Sequence, residues 1–225
     1  MKKDYCFTAL FFCFCFTIPA ARAQMTNCPP GDAGFYFRFG MGPSHFENGQ
    51  VTQFGAPVSS NVKYETGVET ETVAGYAFNK YLATDMEFGF IGAQVENVNG
   101  FSSENSQIYN FPALANFTLS YPIPHTFITP YAGAGFGGSI AGFNSDSFSD
   151  GTTGVSGGES DMVFAWQAFA GLRFKISPLV SLGVGYKYFT TGSPTFNYPA
   201  DQNFDVSFDG VKTHSVLLTF QIKFW

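Results

Sequence analysis

The three histidines are the first residues to weigh as candidates for chemistry, because imidazole acts both as a general base and as a metal ligand. Ser44-His45 falls in a predicted loop, His125 in a short turn, and His214-Ser215 at the start of the last predicted strand, with those two side chains on opposite faces. A catalytic nucleophile and its base must lie within hydrogen-bond reach, with a third group that orients the base. The sequence offers no such set and no metal-ligand spacing. It therefore predicts no enzyme, no metal site and no cofactor.

Charged residues at two-residue spacing are the second group of candidates. Asp85 and Glu87 share one face of a predicted strand, because side chains two apart in a strand point the same way. The cations Arg38, Arg173 and Lys187 have the same inward parity on other strands. A lone buried charge is costly, whereas a paired one is tolerated. We predict that Arg173 or Arg38 neutralises the carboxylate pair and that this cluster plugs the interior; contact with interior water is the alternative.

Alternating hydrophobicity defines the strands that carry these residues. In Thr213 to Trp225, Val216, Leu218 and Phe220 share one face with the later apolar residues, and only Leu217 breaks the alternation. A period of two indicates a strand. Similar segments recur at about 34–42, 69–78, 82–90, 109–121, 128–137, 164–174 and 180–188. Long connections follow the odd-numbered strands and tight ones the even-numbered, as in bacterial outer-membrane barrels. The pattern predicts an all-β, closed, antiparallel, eight-stranded up-and-down transmembrane β-barrel.

The composition decides which face of the barrel meets lipid. The chain has 29 Phe, and only 12% of its residues are charged, against about 25% in typical soluble domains. Glycines crowd the face opposite the phenylalanines, as a narrow lumen requires. We therefore predict that the phenylalanines face lipid; a soluble β-sandwich or a lipocalin-like cup would bury them instead.

Two prolines and one polar segment need separate predictions. Pro112 and Pro130 lie within predicted strands, where proline cannot donate to the ladder, so bulges or strand ends are expected there. The segment from Ala141 to Ser160 is rich in Gly, Ser, Thr, Asn and Asp. Such a composition buries too little apolar area to order itself, so it predicts a long mobile loop.

The N-terminal segment indicates export. Lys2 and Lys3 precede an apolar run, and Ala21-Arg22-Ala23 resembles a cleavage site, so residues 1–23 are predicted to be a signal peptide. Residues 24–33 form a leader and 34–225 the barrel domain. Loss of the signal peptide removes three cations and one carboxylate, which changes the formal charge from −6 to −8. Nucleic acid is therefore excluded as a partner. Cys28 then remains as a single cysteine, with intermolecular pairing, lipid attachment or no role as the alternatives.

Several segments together resemble the small eight-stranded outer-membrane barrels, typified by the transmembrane domain of outer membrane protein A and by the opacity-type proteins. They are Ala74–Asn79, Met86–Phe90, Leu119–Ile123, Ala168–Phe174 and Gly183–Tyr188. The resemblance implies a location in the bacterial outer membrane and an inward glutamate on the third strand that pairs with a basic residue.

Individual positions follow that family pattern in part. Glu87 matches the glutamate, but the family's partner positions fall on Thr118 and Gly183, so that pairing is absent. The family also ends in an aromatic residue that the barrel-assembly machinery reads. Phe224 and Trp225 are the candidates for this assembly signal, since Phe224 has the outward parity and Trp225 is the last residue.

The functional prediction is a non-enzymatic outer-membrane protein with a role in envelope integrity and a surface-exposed part. Its expected partners are outer-membrane lipid, lipopolysaccharide and the assembly machinery, with an extracellular ligand bound through the loops as a further expectation; the sequence does not indicate an oligomeric state. The alternatives are a narrow porin, a channel or lateral gate for small hydrophobic molecules, and a surface adhesin. Acidic residues in the loops either bind divalent cations that bridge lipopolysaccharide or form a solvated surface. They are Glu47, Glu65, Asp146, Asp150, Glu159, Asp161, Asp201, Asp205 and Asp209.

Overall fold

The computed structural model describes residues 33–53, 56–98, 101–102, 106–149, 154–198 and 204–224. No helix in the described part of the chain is long and apolar enough to cross a membrane. The described residues form thirteen strands. They are β1 (Gly34–Phe46), β2 (Gly49–Gln53), β3 (Ala56–Tyr64), β4 (Gly67–Ala77), β5 (Leu82–Val98), β6 (Phe101–Ser102), β7 (Gln107–Ser120), β8 (Ile128–Ser149), β9 (Gly154–Lys175), β10 (Val180–Thr191), β11 (Thr195–Tyr198), β12 (Phe204–Phe208) and β13 (Lys212–Phe224).

Eight of these strands form the wall of a closed barrel: β1, β4, β5, β7, β8, β9, β10 and β13. Each pairs antiparallel with the next strand in this order. The ring closes where β1 pairs with β13, which places Phe39 opposite Phe220. Closure leaves no open edge, as hydrocarbon requires, because each unpaired backbone amide there costs several kcal/mol. The predicted eight-stranded up-and-down barrel is confirmed.

The two faces of the wall differ as the alternation predicts. Phe35 and Phe37 are 67% and 45% exposed, whereas Tyr36 and Arg38 between them are only 5% and 4% exposed. The same alternation continues around the ring, and Leu217, which breaks the sequence pattern, is buried inside. Large apolar side chains therefore cover the outside and polar side chains fill the inside. This arrangement is the reverse of a soluble sandwich or cup.

Short turns connect the barrel strands at one end, here called the turn end, and the opposite end is called the loop end. The Asn79 side chain accepts hydrogen bonds from the backbone N–H groups of Tyr81 and Leu82, at 2.7 and 2.9 Å. Ser177 Oγ accepts one from the N–H of Val180 at 3.0 Å. Asn and Ser fold tight turns because their side chains satisfy the backbone in this way. These turns define the edge of the barrel interior at the turn end.

The segment predicted as a long mobile loop is instead a β-hairpin. Strands β8 and β9 continue past the barrel wall, with Ala141 opposite Asp161 and Phe143 opposite Glu159; residues 150–153 lie outside the described residues. The prediction from composition is wrong here, because two adjacent strands form hydrogen bonds between their backbones and do not need apolar side chains to do so. The first and last long connections also contain strands, since β12, β2, β3 and β5 pair side by side.

The two prolines are accommodated differently. Pro130 is the third residue of β8, so it lies near a strand end as predicted. Pro112 lies in the middle of β7, where the expected bulge is absent. The β5–β7 ladder pairs Phe88 with Ala113 and resumes at Ile91 and Asn110 in the same register. The ladder is therefore interrupted beside Pro112 without a register shift.

Apolar side chains fill the interior towards the loop end. The cluster, here called the apolar layer, consists of Phe46, Ile91, Ala93, Ile108, Leu114, Ala165, Phe189 and Val211, with Tyr64 packed against it. Phe46, Leu114 and Phe189 are at most 1% exposed. Below this layer, towards the turn end, the interior is polar.

Candidate functional site

A lysine lies at the centre of the polar half of the interior. Lys187 projects inward from β10, and its Nζ lies 2.9 Å from Glu69 Oε1 and 2.7 Å from Glu87 Oε1. Glu71 forms a third ion pair with the same ammonium group. The two-residue spacing of Glu69 and Glu71 on β4 points both carboxylates inward, and β5 supplies the third. All four side chains are at most 4% exposed.

Amide side chains connect this ion-pair centre to a fourth carboxylate, that of Asp85. Asn116 Nδ2 donates hydrogen bonds to Asp85 Oδ1 at 2.7 Å and to Glu87 Oε2 at 2.9 Å. Gln167 Nε2 donates to Glu87 Oε2 at 2.8 Å and to Asn116 Oδ1 at 2.9 Å. The hydroxyl of Tyr36 donates to Asp85 as well. The carboxylates are therefore held by neutral donors in addition to cations.

Arg38 completes the network, and small residues make room for it. Arg38 Nε lies 3.0 Å from Glu71 Oε1. A side chain on Gly75 would overlap the ring of Tyr36, and one on Gly135 would overlap Asn116. Because a narrow eight-stranded lumen is filled by its side chains, glycine at these wall positions leaves space for large polar groups. The network spans the interior from wall to wall.

The carboxylates that surround Lys187 also have the composition of a cation site. Glu69, Glu71 and Glu87 each place an oxygen within 4.8 Å of the others, and carboxylates are ligands for Ca²⁺ and Mg²⁺. The Lys187 ammonium already pairs with all three. It therefore takes the position that a metal ion would take, and the site acts as an internal ion-pair network.

The structure brings together four of the five predicted charged residues. Arg38, Asp85, Glu87 and Lys187 belong to the network, whereas Arg173 stacks over Tyr131, 5.0 Å from the ring centroid. The predicted partner of Glu87 is corrected: Lys187, rather than Arg38 or Arg173, pairs with it.

Sequence reasoning left five network residues out. They are Tyr36, Glu69, Glu71, Asn116 and Gln167. The two glutamates show the same two-residue spacing as Asp85 and Glu87, so parity alone indicated them. Nothing in the sequence indicated that the two amides donate to the carboxylates, because that contact depends on the relative stagger of distant strands.

A second polar cluster lies on the outer face near the loop end. His214 Nε2 lies 2.7 Å from Glu47 Oε1, and its Nδ1 lies 2.5 Å from the Tyr186 hydroxyl. The hydrogen bond with His214 lowers the pKa of Glu47 below its usual value. The rings of Tyr186 and Tyr188 flank the imidazole, as expected of an aromatic girdle at a membrane interface.

The other predicted histidine positions need one correction. Ser44-His45 lies within β1 rather than in a loop, and Ser44 is buried, where it accepts a hydrogen bond from Ser215 Oγ at 2.9 Å. His125 lies in an exposed turn with a φ of 60°. The two serines bond to each other rather than to a histidine.

Comparison with known families agrees with this geometry. The model for the outer membrane protein beta-barrel domain matches residues 8–224. The chain belongs to this family. No curated protein matches this outer membrane barrel. The chain is a protein of the bacterial outer membrane. In barrels of this kind the short turns face the periplasm and the longer loops face outside.

Solved structures similar to this outer membrane barrel share little sequence with it. OprG from Pseudomonas aeruginosa gives a TM-score of 0.58 at 13% identity, over 87% of this chain and 99% of that one. Neisserial surface protein A gives 0.52 at 14% identity, over 85% and 99%. AlkL, determined by solid-state NMR in lipid bilayers, gives 0.51 at 16% identity, over 100% and 97%. At these identities the likeness shows the fold alone.

The structure describes one of the two residues of the predicted assembly signal. Phe224 ends β13 with its ring on the outer face, 53% exposed. Trp225 lies outside the described residues, as do residues 1–32, which include the predicted signal peptide, Cys28 and all of the leader except Ala33. The role of Phe224 and Trp225 in assembly of the outer membrane barrel stays a prediction.

Proposed function

We propose that this barrel is a non-enzymatic structural protein of the outer membrane, with a sealed lumen, that supports envelope integrity and presents its extended strands outside. The observation that carries the proposal is the filling of the interior in two parts. The ion-pair network of Lys187, Glu71 and Glu87 spans the periplasmic half, and the apolar layer fills the half nearer the outside. An ion in transit would have to separate buried ion pairs and then cross an apolar region.

The energetics favour a closed state. Removing one partner of a buried ion pair typically costs about 3–5 kcal/mol, because a charge is left without compensation. A hydrated ion that displaced Lys187 from Glu87 would meet a cost of this kind before reaching the apolar layer. A structural barrel has no need to open, whereas a general porin needs a lumen that stays filled with water.

Conductance in planar bilayers tests the sealed lumen. We expect no resolved channel steps from the native protein, and brief openings from Glu87→Gln, because this change removes a carboxylate that holds Lys187. Glu47→Gln, on the outer face, is the matched control and should stay silent. A large conductance that Glu87→Gln leaves unchanged would contradict the sealed lumen.

A second function, lateral passage of small hydrophobic molecules, is favoured by the interrupted ladder beside Pro112. The missing pairs lie between Phe88 opposite Ala113 and Ile91 opposite Asn110. Leu114 and Ile91 of the apolar layer lie on the inner face next to this interruption. Since proline provides no N–H donor to the ladder, the wall is weakest where apolar side chains line the inside. A small apolar molecule could pass between lipid and the loop-end interior there.

Uptake of a small apolar dye by vesicles containing the barrel tests lateral passage. Pro112→Ala supplies the missing N–H and should slow uptake, with slow hydrogen exchange of the amide introduced at position 112 as a direct sign that the ladder has closed. Pro130→Ala, near the strand end, is the control. Equal uptake rates in all three proteins would remove this second function.

A further inference from the structure

A cavity of about 230 Å³ lies at the periplasmic end of the barrel, below the ion-pair network. Turn residues Asn79 and Ser177 line it, together with the buried side chains of Tyr36, Thr129 and Gln221. One water molecule needs only about 10–15 Å³ of such space. The cavity therefore has room for a small ligand and its hydration water. We call it the periplasmic vestibule.

The charge of the vestibule is opposite to that of the protein as a whole. Lys80, Arg173, Lys175 and Lys223 line it, and none of its described lining residues is a carboxylate. The chain has 11 Lys and Arg residues against 17 Asp and Glu, and three of those cations precede residue 24. Half of the remaining eight cations thus surround one cavity in an acidic protein. Clustered cations around a concave site raise the local concentration of anions.

Arg173 differs from the other two cations of the interior. Arg38 and Lys187 are ion-paired with glutamates, whereas no carboxylate in the described part of the chain lies within 4.0 Å of Arg173. Its guanidinium stacks on the ring of Tyr131 instead. Stacking occupies the face of the guanidinium and leaves N–H donors at its edge, which suit the bidentate geometry of an oxyanion.

Gln221 provides a second, independent indication of a ligand. It is 8% exposed and lines the vestibule, yet its Oε1 is buried without a hydrogen-bond partner. A buried polar atom without a partner is costly, and native proteins rarely keep one without a reason. The hydration water of a bound anion can donate one hydrogen bond to this oxygen and the other to the anion.

We propose that the periplasmic vestibule binds a phosphate group. Lys80, Lys175 and the edge of Arg173 supply donors with positive charge, and Gln221 accepts from the hydration water of the bound anion. This set matches a phosphate better than a neutral ligand or a metal ion. The same group occurs in soluble phosphate esters of the periplasm and in the headgroups of the inner leaflet, which lie at the same depth as the turns. Both sources present the same chemistry to Arg173 and Gln221.

Titration of the purified, folded barrel in a neutral detergent with inorganic phosphate tests this site. The probe is the side-chain amide NMR signal of Gln221, with sodium chloride at equal ionic strength as the reference. We expect a saturable shift with phosphate and none with chloride. Lys80→Gln/Lys175→Gln, which changes exposed side chains and leaves the fold intact, should weaken binding by about tenfold or more, since hydrogen bonds to charged groups are the strong ones.

Lys63→Gln/Lys212→Gln is the matched control, because it removes the same charge at the opposite end. Equal weakening by both double variants, or no saturation with phosphate, would overturn the proposal. Competition then separates the sources: glycerol phosphate should displace inorganic phosphate if the ligand is soluble. Dihexanoyl phosphatidylglycerol, but not glycerol phosphate, should do so if the ligand is a lipid headgroup.

Discussion

Lys187 is the residue on which the interior depends most, because three glutamates share its ammonium group. Lys187→Met keeps most of the apolar stem but leaves Glu69, Glu71 and Glu87 with one cation, Arg38, between them. Removing one partner of a buried ion pair typically costs about 3–5 kcal/mol. We expect a loss of that size in the free energy of unfolding, measured by urea titration in phospholipid vesicles with heat-modifiable gel mobility as the readout.

Two further variants show whether Lys187→Met loses stability through the lost ion pairs or through the changed packing. Lys63→Met, on an exposed position, should change stability by less than about 0.5 kcal/mol. Adding Glu87→Gln to Lys187→Met should restore part of the lost stability, because it removes one of the unpaired carboxylates. If the double variant is no more stable than Lys187→Met, charge compensation is not the cause.

The contact between Glu47 and His214 should make stability depend on pH. In a neutral imidazole, Nε2–H donates to Glu47 while Nδ1 accepts the Tyr186 hydroxyl. This bond lowers the pKa of Glu47 in the folded state below its usual 4.5. A group with a depressed folded pKa stabilises the fold above its unfolded pKa, and this stabilisation is lost as the pH falls through the folded pKa.

Glu47→Gln is therefore expected to be slightly less stable than the native protein near neutral pH. The difference should disappear as the pH falls through the lowered pKa of Glu47 in the folded state. The difference in stability should be small, because both side chains are substantially exposed and ion pairs at exposed positions contribute little. Urea unfolding at a series of pH values checks this, and a difference that persists in acid would show that Glu47 acts through another contact.

The sequence predicts residue orientation well and residue partners poorly. Parity along one strand is a local property, so Asp85, Glu87, Arg38 and Lys187 were correctly placed inside. Partners depend on how far each strand is shifted against its neighbours around the ring, and no local pattern encodes that shift. Lys187 reaches Glu87 across 100 residues of sequence, and for this reason the prediction named Arg38 or Arg173 instead.

At the scale of strands, the sequence predicts those parts of each element that lie in the membrane. Alternation of apolar and polar residues is enforced there by lipid on one side and a packed lumen on the other. Beyond those parts, β8 and β9 continue through Ala141 to Ser149 and Gly154 to Ser160, where the sequence has no alternating pattern. The existence of the eight wall strands was therefore predicted and the length of β8 and β9 was underestimated, whereas β2, β3, β6, β11 and β12 were missed.

The outer part of the β8–β9 hairpin should be dispensable for folding. Replacing residues 146–156 with Asn-Gly, a favoured two-residue turn, keeps every pair from Ile128 to Asn144. We expect the shortened barrel to fold with a change of less than about 1 kcal/mol in unfolding free energy, since loop length has a weak effect on stability.

A deletion within the wall should act in the opposite way. Removing Ala132 alone moves the preceding residues of β8 to the other face, which would point Tyr131 at lipid. We expect this variant to fail the heat-modifiability assay, whereas the shortened hairpin passes it. Failure of the shortened hairpin would show that the extension contributes to assembly.

At the scale of the whole molecule, every property above depends on the seam between the first and last strands. Met41 and Leu218 are opposite each other across that seam, and both are exposed on the outer face. Opposed residues of an antiparallel pair have Cα atoms about 4.5–5.5 Å apart, within the range that a disulfide spans. With Cys28 replaced by serine, Met41→Cys/Leu218→Cys should therefore form an intrachain disulfide in the folded barrel.

Oxidation followed by boiling should yield a chain with altered gel mobility that reductant reverses. Val184 lies opposite Leu218 on the next strand, so Met41→Cys/Val184→Cys places the thiols two strand spacings, about 9–10 Å, apart and should not cross-link. Cross-links between chains in place of the intrachain product would mean that β1 and β13 pair across two molecules. A monomeric barrel would then have an open edge in lipid, where unpaired amides of two whole strands could not be compensated. An intrachain disulfide that forms only in the Met41–Leu218 pair would instead show that β1 and β13 of one chain close the barrel. The network and the vestibule would then be enclosed by a single molecule.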